Sequence, residues 1–227
     1  MLDFTLLQKL AIWALPVLFA ITVHEAAHGY AARALGDRTA EMLGRLSLNP
    51  LKHIDPVGTV LVPALMLWLG GFLFGWAKPV PVNTRNLPQP RRAMALVAAA
   101  GPASNGLMAL GWALLLKLAL MLGAEGGIWL GLRLMAVAGI SINLILMVLN
   151  LLPLPPLDGG RVLAGLLPER AARWVDRVEP YGLMIIVSLL VIKIHGQPIL
   201  SLLLDWPLAV AESLIYGLFD INLSALF

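Results

Sequence analysis

Leu10-Ala-Ile-Trp-Ala-Leu-Pro16-Val-Leu-Phe-Ala-Ile-Thr-Val-His24-Glu25-Ala26-Ala27-His28 runs from the middle of the first apolar block into three ionisable groups. The whole block, residues 4–32, is long enough to cross a bilayer as a helix. Ionisable side chains inside such a segment are costly and mark function. Residues four apart on a helix share a face, so His24 and His28 can address one metal ion. Glu25 is offset from that pair and can address a water on the metal instead. A chance match to this pattern is expected on the order of 0.002 times for a chain with this many His and Glu. Two solvated histidines at a membrane boundary are therefore the weaker reading.

The rest of the chain has the same character. Of 227 residues, 59% are hydrophobic and 13% charged, with a mean hydropathy of +0.86. A soluble domain would carry about a quarter of its residues as charges. Further apolar blocks run over 57–77, 93–122, 128–155, 181–195 and 198–225. The fold class is an all-α polytopic membrane protein with five to six membrane segments. Residues 1–227 form one integral-membrane domain, with a core over about 4–178 and peripheral segments over about 180–227. The first block is no cleaved signal, since it continues into His24 without a small-residue cleavage pattern. The net charge of +3 needs no nucleic acid, because basic residues gather beside membrane spans. With no cysteine in the chain, disulfides and thiolate metal sites are excluded.

Three basic stretches separate the blocks: Arg33, Arg38, Arg45 and Lys52; Lys78, Arg85, Arg91 and Arg92; Arg161, Arg170, Arg173 and Arg177. They hold 12 of the 16 Lys and Arg residues and are expected on the cytoplasmic side. Two blocks separate the second stretch from the third, which returns the chain to the same side. Only block 57–77 separates the first from the second, so it reads as re-entrant or bent near Gly70, Gly71 and Gly75. Block 181–195 is short for a full span, and Asp205, Trp206 and Pro207 interrupt the last one. That last segment is expected along the interface or across the membrane.

A zinc site of this kind needs a third protein ligand. Asp158 stands out in Asn150-Leu-Leu-Pro153-Leu-Pro155-Pro156-Leu-Asp158-Gly-Gly-Arg161, where the prolines break the helical ladder. Broken backbone at membrane depth is tolerated only against protein or a wet cavity. By the loop charges, this stretch lies at the same end as the histidine pair. The alternative role for Asp158 is to cap the helix that follows.

HEAAH on a membrane helix, followed downstream by N-x-x-P-x-P-x-x-D-G, resembles the site-2 protease family of intramembrane metalloproteases. Gly101-Pro-Ala-Ser-Asn105 resembles that family's G-P-x-x-N signature. Asn49–Asp55 and Gly75–Val82 are similar to its small bacterial members. The resemblance covers about residues 20–165 and implies that His24, His28 and Asp158 bind one zinc ion. It further implies that Glu25 is the general base and that Asn150 steadies the substrate or the developing oxyanion. Substrates would be transmembrane proteins or peptides in the bilayer of a bacterial cytoplasmic membrane, cut near the cytoplasmic face. No PDZ domain separates the motifs, which leaves recognition of a substrate C-terminus unsupported.

Ala77–Val82 reads either as an extended edge for an unwound substrate, the source of expected short β elements near the site, or as a rigid connector. Lys78, Val80, His53 and Asn105 are the candidate substrate contacts. For His53 and Asp55 a solvated loop pair competes, and for Asn105 and Asn143 interhelical hydrogen bonds suffice. The rival function is a metal-binding membrane protein or transporter without hydrolysis. Transporters show repeat symmetry and a path of ionisable groups, and neither is present in the sequence.

Overall fold

A computed structural model describes residues 5–62, 75, 77–123 and 127–222, and within them the chain is mostly helical. Helix α1, Leu6–Ala34, starts on a capping box in which the Thr5 side chain accepts from the Gln8 amide and the Gln8 side chain accepts from the Thr5 amide. It continues through Pro16, a break that neighbouring helices make tolerable in lipid. A loop region with the short helix α2, Thr39–Met42, and residues 77–83, which carry no regular secondary structure, leads to α3, Pro90–Leu122. Next come α4, Gly127–Leu151; α5, Asp158–Leu166; α6, Glu169–Val178; and α7, Gly182–Val191. A hairpin of β1, Lys193–Ile194, and β2, Gln197–Pro198, pairs Lys193 with Pro198 and leads into α8, Ile199–Leu218.

Among the described residues, four helices are long and apolar enough to cross a membrane: α1, α3, α4 and α8. The expected five to six segments also counted block 57–77, most of which lies outside the described residues. At ten residues, α7 spans only about 15 Å, half the thickness of a hydrocarbon core. Block 181–195 thus divides into a short helix and one strand of a hairpin. The Asp205–Pro207 interruption does not break α8, which runs unbroken through Pro207. The re-entrant reading of block 57–77 falls mostly on residues 63–74 and 76, outside the described residues; its first part is a π-helical turn, Pro56–Leu61.

Helices α1 and α3 are antiparallel neighbours. Ala32 packs with Ala93 and Val97, while Ala20 lies a full two turns and more away, beside Asn105. The chain therefore leaves α1 and starts α3 at the same end of the bundle. Polar contacts join all three basic stretches there. The Asn83 amide donates to Asp37 Oδ2 at 2.7 Å, Arg91 pairs with Asp176 at 3.4 Å, and Arg161 pairs with Glu179 at 3.5 Å. The opposite end of the α3–α4 pair is apolar, built from Ala109, Ala113, Leu116, Ala136, Ile140 and Leu144 with Ile215 of α8. Val148, Ile186, Leu190, Leu200 and Leu204 join α4, α7 and α8 between these ends.

Candidate metal centre

Helix geometry puts His24 and His28 on the face of α1 that meets α3. The hydrogen bonds behind them fix which ring nitrogen faces forward. His28 Nδ1 lies 2.8 Å from the Val97 carbonyl, which can only accept, so Nδ1 carries the proton. His24 Nδ1 lies 2.6 Å from Asn105 Oδ1. Asn105 Nδ2 donates to Asn143 Oδ1 at 2.9 Å and to the Ala20 carbonyl at 3.3 Å, so its oxygen is the atom turned to His24. In neutral rings both Nε2 atoms then present lone pairs.

Those lone pairs meet a third. The first turn of α5 brings Asp158 Oδ2 to 3.2 Å from His24 Nε2 and 3.3 Å from His28 Nε2, which are themselves 3.1 Å apart. The prolines end α4 near Leu151 and the chain folds back so tightly that a Cβ on Gly159 would strike the Leu151 and Leu152 carbonyls. Asp158 makes no capping bond on α5, which removes the N-cap alternative. Its Oδ2 is buried without a hydrogen-bond donor of its own. Three acceptors this close repel unless a cation lies among them. Tetrahedral zinc with bonds of about 2.0–2.1 Å separates its ligands by roughly 3.3 Å, and the three observed edges fit that triangle. The donor set of two imidazoles and one carboxylate also suits zinc. Protons are the lesser substitute. With the rings charged, burial would raise the Asp158 carboxyl, but hydrogen bonds and charge from His24 and His28 outweigh it and hold it down at about 2.

Helix α3 passes the rings so closely that a Cβ on Gly101 would lie 2.5 Å from His28 Cε1 and 2.6 Å from His24 Cε1. The G-P-x-x-N run thus supplies both the clearance, at Gly101, and the second-layer partner, at Asn105. Glu25 stands beside the triangle, half-buried, with Oε2 accepting from the Val80 amide at 2.9 Å. A cavity of about 630 Å³ opens over these groups. Its walls are apolar, with Ile142, Ile145, Leu146 and Leu149 from α4 and Leu183 and Ile186 from α7.

The other sequence candidates fall in different places. Asn150 lines the cavity, with one amide proton committed to the Leu146 carbonyl at 3.0 Å. Val80 is buried and lines the cavity as well. Lys78 is exposed and does not line it; its amide donates to the His53 carbonyl at 2.9 Å, and Arg45 donates to its carbonyl. His53 is only 2% exposed, so it is neither a solvated loop residue nor a wall of the cavity; its Nε2 donates to the Ser47 carbonyl at 2.8 Å. Asp55 caps the turn at Pro56 through the Val57 and Gly58 amides. Asn105 is fully buried behind His24 and lines no part of the cavity; its side-chain oxygen is turned to His24 Nδ1 instead. Ala77–Val82 has no regular secondary structure and forms no strand, and the hairpin lies between α7 and α8 with no residue on the cavity wall. The Glu25–Val80 and His28–Val97 contacts use backbone groups and carry no side-chain signal in the sequence.

Fold and site together define a membrane-embedded protein with a group of residues able to hold a metal ion beside a carboxylate. The family model of peptidase family M50 matches residues 124–193, the part that contains Asn150 and Asp158. YwhC of Bacillus subtilis, provisionally named a zinc metalloprotease, is 42% identical over 77% of this chain and 78% of its own length. Rip2 of Mycolicibacterium smegmatis and Rip2 of Mycobacterium tuberculosis, named in the same way, are each 31% identical. They match 77% and 76% of this chain, which spans 64% and 63% of their lengths. No solved structure matches significantly. The chain belongs to peptidase family M50, the site-2 proteases, and is a peptide-bond hydrolase of the membrane.

Proposed function

We propose that this chain is a zinc metalloendopeptidase that hydrolyses peptide bonds within or near transmembrane segments of other membrane proteins. In this reading it acts near the cytoplasmic face of a bacterial cytoplasmic membrane. The observation that carries it is the convergence of three lone pairs, from His24, His28 and Asp158, beside a carboxylate that faces the same cavity. These three residues hold the zinc ion. When bound, zinc supplies a Lewis acid that brings a coordinated water towards a pKa of about 7 and polarises a carbonyl.

The chain's own groups do the rest. Glu25 takes the proton of the attacking water and returns it to the leaving nitrogen. The Val80 amide holds one Glu25 oxygen and so fixes where the other stands. The Asn150 amide keeps one N–H beyond its bond to Leu146, available to a developing oxyanion. The α4 and α7 side chains line an apolar trough that suits a membrane segment. A helical peptide bond is shielded by its own turn, so the substrate must unwind first, and Gly, Pro or Asn near the scissile bond favour cleavage. The Ala77–Val82 segment has little to donate to an incoming strand. Pro79 and Pro81 lack an N–H, and those of Lys78 and Val80 are committed to His53 and Glu25.

Glu25→Gln in the purified full chain tests the assignment. Zinc content stays at the wild-type level while cleavage of a membrane-segment substrate falls by about 10²–10⁴-fold. Retained turnover would overturn it. The same variant in native membranes traps uncut substrates and identifies their class.

A further inference from the structure

The hydrogen-bond chain behind His24 extends past Asn105 and ends on a group whose polarity is fixed. Asn143 Nδ2 donates to the Gly139 carbonyl at 2.8 Å. A backbone carbonyl has no donor, so Asn143 must present its amide to Gly139 and its oxygen to Asn105. Asn105 must then present its amide to Asn143 and its oxygen to His24 Nδ1. Each link sets the next: Gly139 carbonyl, Asn143, Asn105, His24. Both asparagines are 0% exposed, so bulk water does not compete for their partners.

We infer that Asn143, which touches no metal ligand, is a positioning residue that fixes the His24 tautomer through Asn105 and so keeps Nε2 as the metal-facing atom. This rests on the zinc reading above. Asn143, buried in the apolar α4, has a use beyond gluing two helices. Gluing needs any hydrogen bond between α3 and α4, whereas a relay needs one direction. The Ala20 carbonyl accepts the second Asn105 proton at 3.3 Å and supports the same direction. Loss of Asn143 therefore weakens the relay without erasing it.

The test is zinc affinity in two backgrounds, by competition with a chelating dye on the purified full chain. Asn143→Leu should weaken zinc binding by about tenfold, the lower end of the 10- to 100-fold range for outer-layer partners. An ionised aspartate at position 105 only accepts. A protonated one donates its O–H to the Asn143 or Ala20 oxygen and turns its carbonyl to His24, so either form holds His24 Nδ1–H without instruction from Asn143. In an Asn105→Asp background, Asn143→Leu should therefore cost nothing further. Equal losses in both backgrounds would mean a packing role, and no loss in the first would mean no role; either overturns the inference. Nitrogen NMR of the zinc-loaded wild type, with histidine labelled, gives an answer even if the variants fail to fold. Zinc on His24 Nε2 with the proton on Nδ1 is expected, and zinc on Nδ1 would overturn the relay. Absence of zinc on either histidine would instead reject the metal centre itself.

Discussion

The two halves of the α3–α4 pair are held together in different ways. In the half away from the metal centre, Ala109, Ala113 and Leu116 face Ala136, Ile140 and Leu144, and all are buried. In the near half, Gly101 and Asn105 face His24, His28 and Asn143, and the contacts are directed hydrogen bonds. Lipid tails are as apolar as leucine, so helices in a membrane gain by close packing and by hydrogen bonds, with little hydrophobic drive. The far half uses the first means and tolerates small changes of shape. The near half uses the second and is sensitive to the direction of single protons. Stability and chemistry are thus separated along the same two helices.

The largest expected effect breaks the far half alone. Leu116 is fully buried among the small residues of α3 and α4. Leu116→Ala leaves a cavity there and should cost about 2–5 kcal/mol of stability, read as the shift in thermal unfolding in detergent. Zinc affinity of the folded protein should stay at the wild-type value. A matching fall in zinc affinity would show that the two halves are mechanically coupled and that the separation is wrong.

Gly101→Ala, set against Gly111→Ala, sharpens the comparison within one helix. A methyl group on Gly101 meets both imidazoles, whereas one on Gly111 meets nothing within 4 Å. Crowding at Gly101 should cost about 1–3 kcal/mol and at least tenfold in zinc affinity, because the rings are the proposed ligands and must move. At Gly111 the same change only improves helix propensity, by up to about 1 kcal/mol. Equal effects at the two positions would remove the claim that α3 is fitted to the rings.

Much of this was legible in the residues themselves. Spacing marks His24, Glu25 and His28 as a candidate metal helix, the broken Pro153–Pro156 backbone makes Asp158 the candidate third ligand, and the fold brings His24, His28 and Asp158 together. The grouping of the three basic stretches at one end was also readable, from charge alone. What stayed hidden depends on contacts rather than composition. The role of Asn105 turns on which way one amide points. The burial of His53 depends on a loop folding over it. The hold of Val80 on Glu25 uses a backbone N–H that every non-proline residue carries. The α8 segment misleads because Asp205 and Pro207 look like a break, yet its helix absorbs both with Asp205 exposed.

Acid offers the mildest way to separate the two ends. Asp37 accepts from the Thr39 amide and hydroxyl, the Asn83 amide and the Asn86 side chain, tying the α1 exit to the segment that holds Glu25. Burial alone would raise its carboxyl, but the hydrogen bonds from Thr39, Asn86 and the Asn83 amide outweigh it and hold it below the ordinary value. A lowered carboxyl contributes stability that is complete above the unfolded value of about 4. That contribution is lost as pH falls through the lower folded value. Among the described residues, the far half has no carboxylate tied by several hydrogen bonds in this way; its buried Arg133 donates to the Ala119 and Gly123 carbonyls. Below pH of about 4, amide hydrogen exchange should therefore accelerate at residues 80–86 before it does at residues 109–116. Asp37→Asn loses an acceptor and should open the same segment at neutral pH by about 1 kcal/mol, with little further change on acidification. Exchange that accelerates equally at both ends would mean that acid unfolds the bundle as one unit, with no independent latch at Asp37.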